Sequence, residues 1–215
     1  MRPRFSILIQ THDQPEPLAR TLASLRFSLT RDDAECIALA NGGGPAVRRL
    51  LLAEPGIRRA TLWPEARHLA AGRARLFRRA RGAILVLLEP GALITDSLWL
   101  DRLAAALAAE PVGLAGPEGL IVSARWRGGI PAPPGPCDVV AGWCMALKRE
   151  ALLAAPDLTD DSGPAREDAD VCRAVQRGGY EVLCTGPVGV AWSGPEARRT
   201  PLIPCADGVR ARNAG

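Results

Sequence analysis

The chain has 215 residues, 47% of them hydrophobic, and a formal net charge of +4. That suits one hydrophobic core of ordinary size, and the scattered glycine and proline exclude a fibrous or low-complexity chain. No apolar run is long enough to cross a bilayer, and no leader pattern precedes the first strand-like run. A cytoplasmic location is therefore expected, with attachment to the inner membrane face left to a partner.

Phe5-Ser6-Ile7-Leu8-Ile9-Gln10 is a short apolar run that predicts a buried parallel strand. Thr11-His12-Asp13-Gln14-Pro15 follows as a loop. Pro17 opens a helix through Leu29, with Leu18, Leu22 and Leu25 on one face. Glu35 to Ala40 predicts a second strand, stopped by Asn41-Gly42-Gly43-Gly44, and a helix follows from Pro45 to Ala53. Arg59 to Trp63 is a weaker third strand. Ala70 to Arg81 reads as a helix closed by Gly82, and Ala83 to Leu88 as the strongest strand, ending in Glu89-Pro90-Gly91. Such alternation predicts a mostly parallel α/β sheet with helices on both faces. Ligands of such sheets bind beyond the carboxyl ends of the strands.

Further along, Ser97 to Ala109 predicts a helix, and 112–116 and 119–122 predict strands. The segment 127–136 is rich in glycine and proline and reads as a loop. Val139 to Leu147 reads as one strand, and Arg149 to Ala155 as a short helix. In Glu167-Asp168-Ala169-Asp170 three carboxylates stand within four residues at the start of a helix that Gly178-Gly179 ends. A helix N-terminus favours anions, and a carboxylate held there can accept a proton from a hydroxyl. A capped surface helix is the plainer reading of that stretch alone.

The six cysteines form no C-x-x-C pair and the chain has two histidines, so a zinc site is not expected and the thiols read as reduced and buried. Of the 27 basic residues, Lys148 is the single lysine. Basic residues cluster between Arg67 and Arg81, but Phe77 is the one aromatic among them, and base stacking needs more. No nucleic acid partner is expected.

Taken together and in order, these segments resemble the family 2 glycosyltransferases of the GT-A fold. The likeness lies in Ser6 to Pro15, Glu35 to Gly43, Gly72-Arg73-Ala74-Arg75 with Ala80-Arg81-Gly82, Val139 to Leu152, and Glu167-Asp168-Ala169-Asp170-Val171-Cys172. It implies a single GT-A-like (Rossmann-like) domain over residues 1–195, a mostly parallel mixed sheet flanked by helices, with 196–215 as a C-terminal tail. The implied reaction is hexosyl transfer from a UDP-, GDP- or dTDP-linked nucleotide sugar to a hydroxyl acceptor, with inversion. By resemblance Asp168 is the catalytic base, with Glu167 beside it. Thr11, His12, Asp13, Asn41, Arg73, Arg75 and Glu89 fall on the nucleotide-sugar side, and Gly142 and Trp143 on the acceptor side.

The family's D-x-D motif, which holds ribose and a divalent metal (Mn or Mg), is here Glu89-Pro90-Gly91. Glu89 is the one metal-ligand candidate left, because Gly91 has no side chain. Ala40 replaces an aspartate that reads the base, and Ser193 follows Trp192 where a histidine is frequent. Two readings stay open. One is a metal-independent transferase in which Arg73 and Arg75 replace the cation. The other is a catalytically inactive GT-A-like domain that binds a ligand or a protein partner. The oligomeric state is not legible.

Overall fold

The computed structural model describes residues 2–122, 129–160 and 168–194. The chain runs β1 (Phe5–Thr11), α1 (Pro15–Leu29), β2 (Ala34–Asn41), α2 (Pro45–Ala53), β3 (Ile57–Trp63), α3 (Leu69–Arg79), β4 (Ile84–Leu88) and β5 (Ala92–Ile94). Then follow α4 (Trp99–Leu107), β6 (Val112–Gly116), β7 (Gly119–Val122), β8 (Gly129–Ala132), β9 (Gly135–Pro136), β10 (Val139–Val140) and β11 (Cys144–Lys148). The last elements are α5 (Arg149–Leu153), a 3-10 turn (Pro156–Thr159), α6 (Asp168–Arg177), β12 (Glu181–Cys184) and β13 (Val190–Trp192).

Eight strands form the central sheet in the order β3-β2-β1-β4-β11-β6-β12-β9. The first four are parallel, and β11 runs antiparallel between β4 and β6. Side chains alternate across the strands with period two. Ile7 and Ile9 of β1 therefore pack with Leu18, Leu22 and Leu25 of α1, Val47 and Leu51 of α2, and Leu103 of α4. Leu8, one residue out of phase, packs on the other face with Leu76 and Phe77 of α3 and Val171 and Val175 of α6. Both faces are covered, so β1, β2 and β4 are mostly apolar, as buried parallel strands require, while the edge strand β3 keeps Arg58 and Arg59. Trp99 is fully buried and its indole N–H is satisfied by Ser28 Oγ at 2.8 Å.

At the α3–β4 junction the helix ends at Arg79, short of the Arg81 expected from the sequence, and Gly82 lies tight against β1. A Cβ there would lie 2.5 Å from the Ser6 nitrogen. The Gly82 N–H donates instead to Ser6 Oγ at 2.7 Å. Ser6 Oγ donates to Glu35 Oε1 at 2.8 Å, and Arg81 gives Glu35 its backbone N–H at 2.7 Å and its guanidinium at 3.1 Å. This buried carboxylate thereby ties β1, β2 and the end of α3 together.

Three differences from the sequence expectation bear on the site. The run Val139–Leu147 is two strands in different sheets, β10 beside β7 and β11 between β4 and β6, and between them the Gly142 N–H donates to the Asp168 carboxylate at 2.7 Å. Part of the expected loop 127–136 is paired, β8 with β7 and β9 with β12. The short β5 went unforeseen and is held by β13, which brings Trp192 opposite Ala92. Residues 196–215, expected as a tail, lie outside the described residues.

Candidate functional site

The carboxyl ends of β1, β2, β3 and β4 lie along one edge of the sheet, at Thr11, Asn41, Trp63 and Leu88. Because β11 is antiparallel, it starts at that same edge, with Cys144 opposite Leu88. Gly142 and Trp143 immediately precede it. Asp168, the first residue of α6, is brought to the same place.

Asp168 is held from two sides. Its Oδ2 accepts from the Gly142 N–H at 2.7 Å, and its Oδ1 accepts from Arg73 Nη2 at 2.5 Å. Gly142 is required there, since a Cβ on it would lie 2.1 Å from Asp168 Oδ1. Arg73 comes from the buried face of α3, is 4% exposed, and also faces Glu89 Oε1 at 3.8 Å. Burial on its own would lower the Arg73 pKa, but the charges of Asp168 and Glu89 outweigh it and hold the guanidinium above its ordinary value. Gly72, next to it, lies so close to the Gln10 amide of β1 that a Cβ would meet Gln10 Nε2 at 2.3 Å. That closeness lets α3 sit low enough for Arg73 to reach both carboxylates.

Glu89 begins a tight turn after β4, its N–H donating to the Trp143 carbonyl at 3.1 Å. Gly91 has φ +112°, a region natural to glycine. A Cβ on it would lie 3.1 Å from the Trp192 ring. The Gly91 carbonyl accepts from both the N–H and the Oγ of Ser193, each at 2.9 Å. Trp192 and Trp143 face each other with ring centroids 5.8 Å apart. The Trp143 indole N–H donates to Glu118 Oε2 at 2.9 Å, while the Trp192 indole nitrogen is buried without a partner.

On the β1–β2 side Thr11 is buried and its hydroxyl donates to the His12 carbonyl at 3.2 Å. His12 and Asp13 are exposed, and Asp13 Oδ1 accepts from the Gly44 N–H at 3.2 Å, at the start of α2. Asn41 is buried. Its amide donates to the Arg67 carbonyl at 2.9 Å and accepts from the Arg67 N–H at 2.8 Å. Gly42, at φ +77°, passes Ala66 so closely that a Cβ would lie 2.6 Å from its nitrogen. Asn41 thus serves the loop before α3, and Arg67 lies over the Trp63 ring at 4.8 Å.

The structure therefore brings Asp168, Arg73, Glu89, Gly142 and Trp143 into one cluster. Thr11, His12, Asp13 and Asn41 line the same sheet edge farther along. Arg75 is half-buried, is not joined to the carboxylates, and has a buried Nε without a partner. Glu167 lies outside the described residues. Sequence reasoning missed Glu118, which looks like any surface acid until the fold seats Trp143 beside it. It also left Trp192 without a role, although a tryptophan two positions from a glycine-rich turn was the available signal.

Would a divalent metal fit here? Such an ion takes six or more oxygen ligands. Among the described residues no group of three His, Cys, Asp or Glu side chains converges to hold one. Gly91 offers no side chain, and its carbonyl is taken by Ser193. Glu89 and Asp168 already face a guanidinium. The residues present do not fit the ion. The described cysteines are free and buried, and burial raises the thiols of Cys36 and Cys172 to about 12. A separate cleft of about 320 Å³ opens at the far end of the sheet beside Ile84, Leu107 and Arg149. Its charged groups are engaged, Lys148 with Glu110 at 2.8 Å and Arg149 with the Gly82 and Ala80 carbonyls.

No protein-family model matches the chain, and no curated protein sequence matches it. Among solved structures it is similar to the mannosyltransferase PcManGT from Pyrobaculum calidifontis, in complex with GDP-Man and Mn2+. The identity is 19%, the TM-score 0.68, and the match covers 91% of this chain and 58% of that one. The chain thus spans little more than half the length of that neighbour. The likeness establishes the fold, a mixed, mostly parallel α/β sheet of the GT-A type. No helix among the described residues is long and apolar enough to cross a membrane.

Proposed function

We propose that the chain is a glycosyltransferase that moves a hexosyl unit from a UDP-, GDP- or dTDP-linked sugar to a hydroxyl acceptor, with inversion. The observation that carries this reading is the placement of Asp168. A carboxylate from the start of α6 is fixed by the Gly142 N–H and by Arg73, at the sheet edge where ligands of such folds bind. The fold shared with a protein that binds GDP-Man supports a nucleotide sugar as donor.

In the reaction an acceptor oxygen forms a bond to the anomeric carbon. The bond from that carbon to the diphosphate oxygen breaks, and the electron pair leaves with the diphosphate. The acceptor proton passes to Asp168, acting as general base. Because Oδ1 and Oδ2 each receive a donor, the carboxylate is oriented before the acceptor arrives, and such pre-set geometry lowers the barrier. Trp143 offers an apolar flank on the acceptor side. Thr11, His12, Asp13 and Asn41 border the nucleotide, the last by fixing the loop that carries Arg67. Glu167, next to Asp168 in the sequence, is assigned to the same step.

A second reading, a non-catalytic binding domain, is favoured by one observation. Both oxygens of Asp168 are already engaged, one of them in an ion pair at 2.5 Å. Calorimetric titration of UDP, GDP and dTDP, followed by turnover with the matching sugar nucleotides, separates the two. Binding of a nucleotide with turnover that Asp168→Asn abolishes supports transfer. Binding without turnover under any acceptor supports the binding domain, and no binding of any nucleotide refutes the donor assignment.

A further inference from the structure

Proton abstraction by Asp168 does not explain why an arginine is buried in this site. Arg73 reaches Asp168 at 2.5 Å and Glu89 at 3.8 Å through one nitrogen, Nη2. Its other terminal nitrogen, Nη1, is buried and has no hydrogen-bond partner among the described residues. A guanidinium carries five N–H donors in a rigid planar fork, and a buried charged donor left unpaired is costly. A partner absent from the protein itself, an anion with oxygen acceptors, would satisfy it. Arginine forks match phosphate oxygens well.

Two residues beyond Glu89 the chain offers no acidic side chain. Gly91 stands there at φ +112°, the Trp192 ring covers it at 3.1 Å from a would-be Cβ, and Ser193 caps its carbonyl. A side chain could not be added at Gly91 without moving that indole. The bare Gly91 and the seating of Trp192 are one packing arrangement, and Arg73 is the cation that faces both Asp168 and Glu89.

We propose that Arg73 is the resident cation of this site: Nη2 holds the carboxylates of Asp168 and Glu89 in place, and Nη1 receives an oxygen of the donor's diphosphate, so that no divalent ion is needed. The assignment rests on the glycosyl-transfer reading and adds the identity of the group that meets the diphosphate. It differs from a structural salt bridge in one respect, because a structural role alone would leave nucleotide affinity unmoved in a conservative variant that folds.

The test is calorimetric titration of UDP, GDP and dTDP in EDTA and then in Mn2+, on wild type, Arg73→Lys and Arg73→Met, with Mn2+ binding followed separately by electron paramagnetic resonance. Wild type should bind one nucleotide equally well in EDTA and in Mn2+. Arg73→Met should lose about 10- to 100-fold in affinity, the worth of a hydrogen bond to a charged group, and Arg73→Lys less. In Arg73→Met the guanidinium that lies 2.5 Å from Asp168 and 3.8 Å from Glu89 is gone. Neither wild type nor the variants should bind Mn2+ in the resonance titration, and Mn2+ binding by wild type overturns the assignment. Should Arg73→Met not fold, wild type and Arg73→Lys decide. Nucleotide binding that requires Mn2+ in wild type, or that neither variant weakens, overturns the role given to Arg73 alone. Failure of every nucleotide to bind wild type overturns the functional reading and this assignment with it.

Discussion

Replacing Gly142 by Ala tests the geometry around Asp168 without any knowledge of substrate. The new Cβ would lie 2.1 Å from Asp168 Oδ1, 2.4 Å from Cγ and 2.6 Å from Oδ2, and these are its three nearest atoms. Ordinary contact begins at 3.4 Å, so the carboxylate must retreat and gives up or stretches its bond from the Gly142 N–H. Gly142 is not among the glycines with positive φ, so its backbone accepts alanine without strain. Overpacking of this kind costs about 1–3 kcal/mol, and a lost hydrogen bond to a charged group about 1.5–3 kcal/mol. Urea unfolding of Gly142→Ala should therefore show about 2–4 kcal/mol of destabilisation, the two effects overlapping. In an Asp168→Ala background the colliding atoms are gone, and the same substitution should cost less than about 1 kcal/mol. A displacement of about 1 Å also lowers turnover roughly 10²-fold. An equal cost of Gly142→Ala in both backgrounds would refute the contact on which the site is built.

Gly91→Ala should destabilise by about 1–3 kcal/mol through its φ of +112°. Adding Trp192→Ala should relieve only the part due to the 3.1 Å ring contact, and a double mutant that recovers fully would contradict the backbone argument. Glu35 supplies a pH-dependent term. Burial pushes its carboxyl up, but hydrogen bonds from Ser6 and Arg81 and the Arg81 charge bring it below the ordinary 4.5. Its folded pKa is thus depressed, so its stabilisation is present above about pH 4.5 and fades as pH falls through the lower folded value. Glu35→Gln should cost about 1–3 kcal/mol at pH 7, with the gap to wild type narrowing below pH 4.5 in acid titrations of unfolding.

The fold was largely readable because buried parallel strands leave a strong trace. Phe5–Gln10, Glu35–Ala40 and Ala83–Leu88 are mostly apolar runs, and Pro45 marks a helix start. The break at Gly142 was not readable. An apolar run through Val139–Leu147 looks continuous, whereas its two halves pair in different sheets, and the carboxylate that takes the Gly142 N–H arrives from α6, far along the chain. The short β5 carries three residues, too few for periodicity to show. At the site, Asp168 stood out through its acidic surroundings. Arg73 was named together with Arg75, and nothing in the sequence separates the two, because the burial of Arg73 depends on Gly72 lying against Gln10. Asn41 shows the reverse case. Its position after β2 suggests a ligand contact, whereas both ends of its amide are bound to the Arg67 backbone. Glu118 gave no signal at all, because its partner Trp143 is 25 residues away.

The most direct measurement of the central claim is nucleoside diphosphate release from UDP-, GDP- and dTDP-hexoses by the purified chain and by Asp168→Asn, with donor affinity measured on the same samples. The asparagine keeps the shape of the side chain and removes its ability to take a proton. Release by wild type that falls about 10²- to 10⁴-fold in the variant, with donor affinity retained, is the predicted result. Undiminished release by Asp168→Asn would contradict the assignment of that carboxylate as the base.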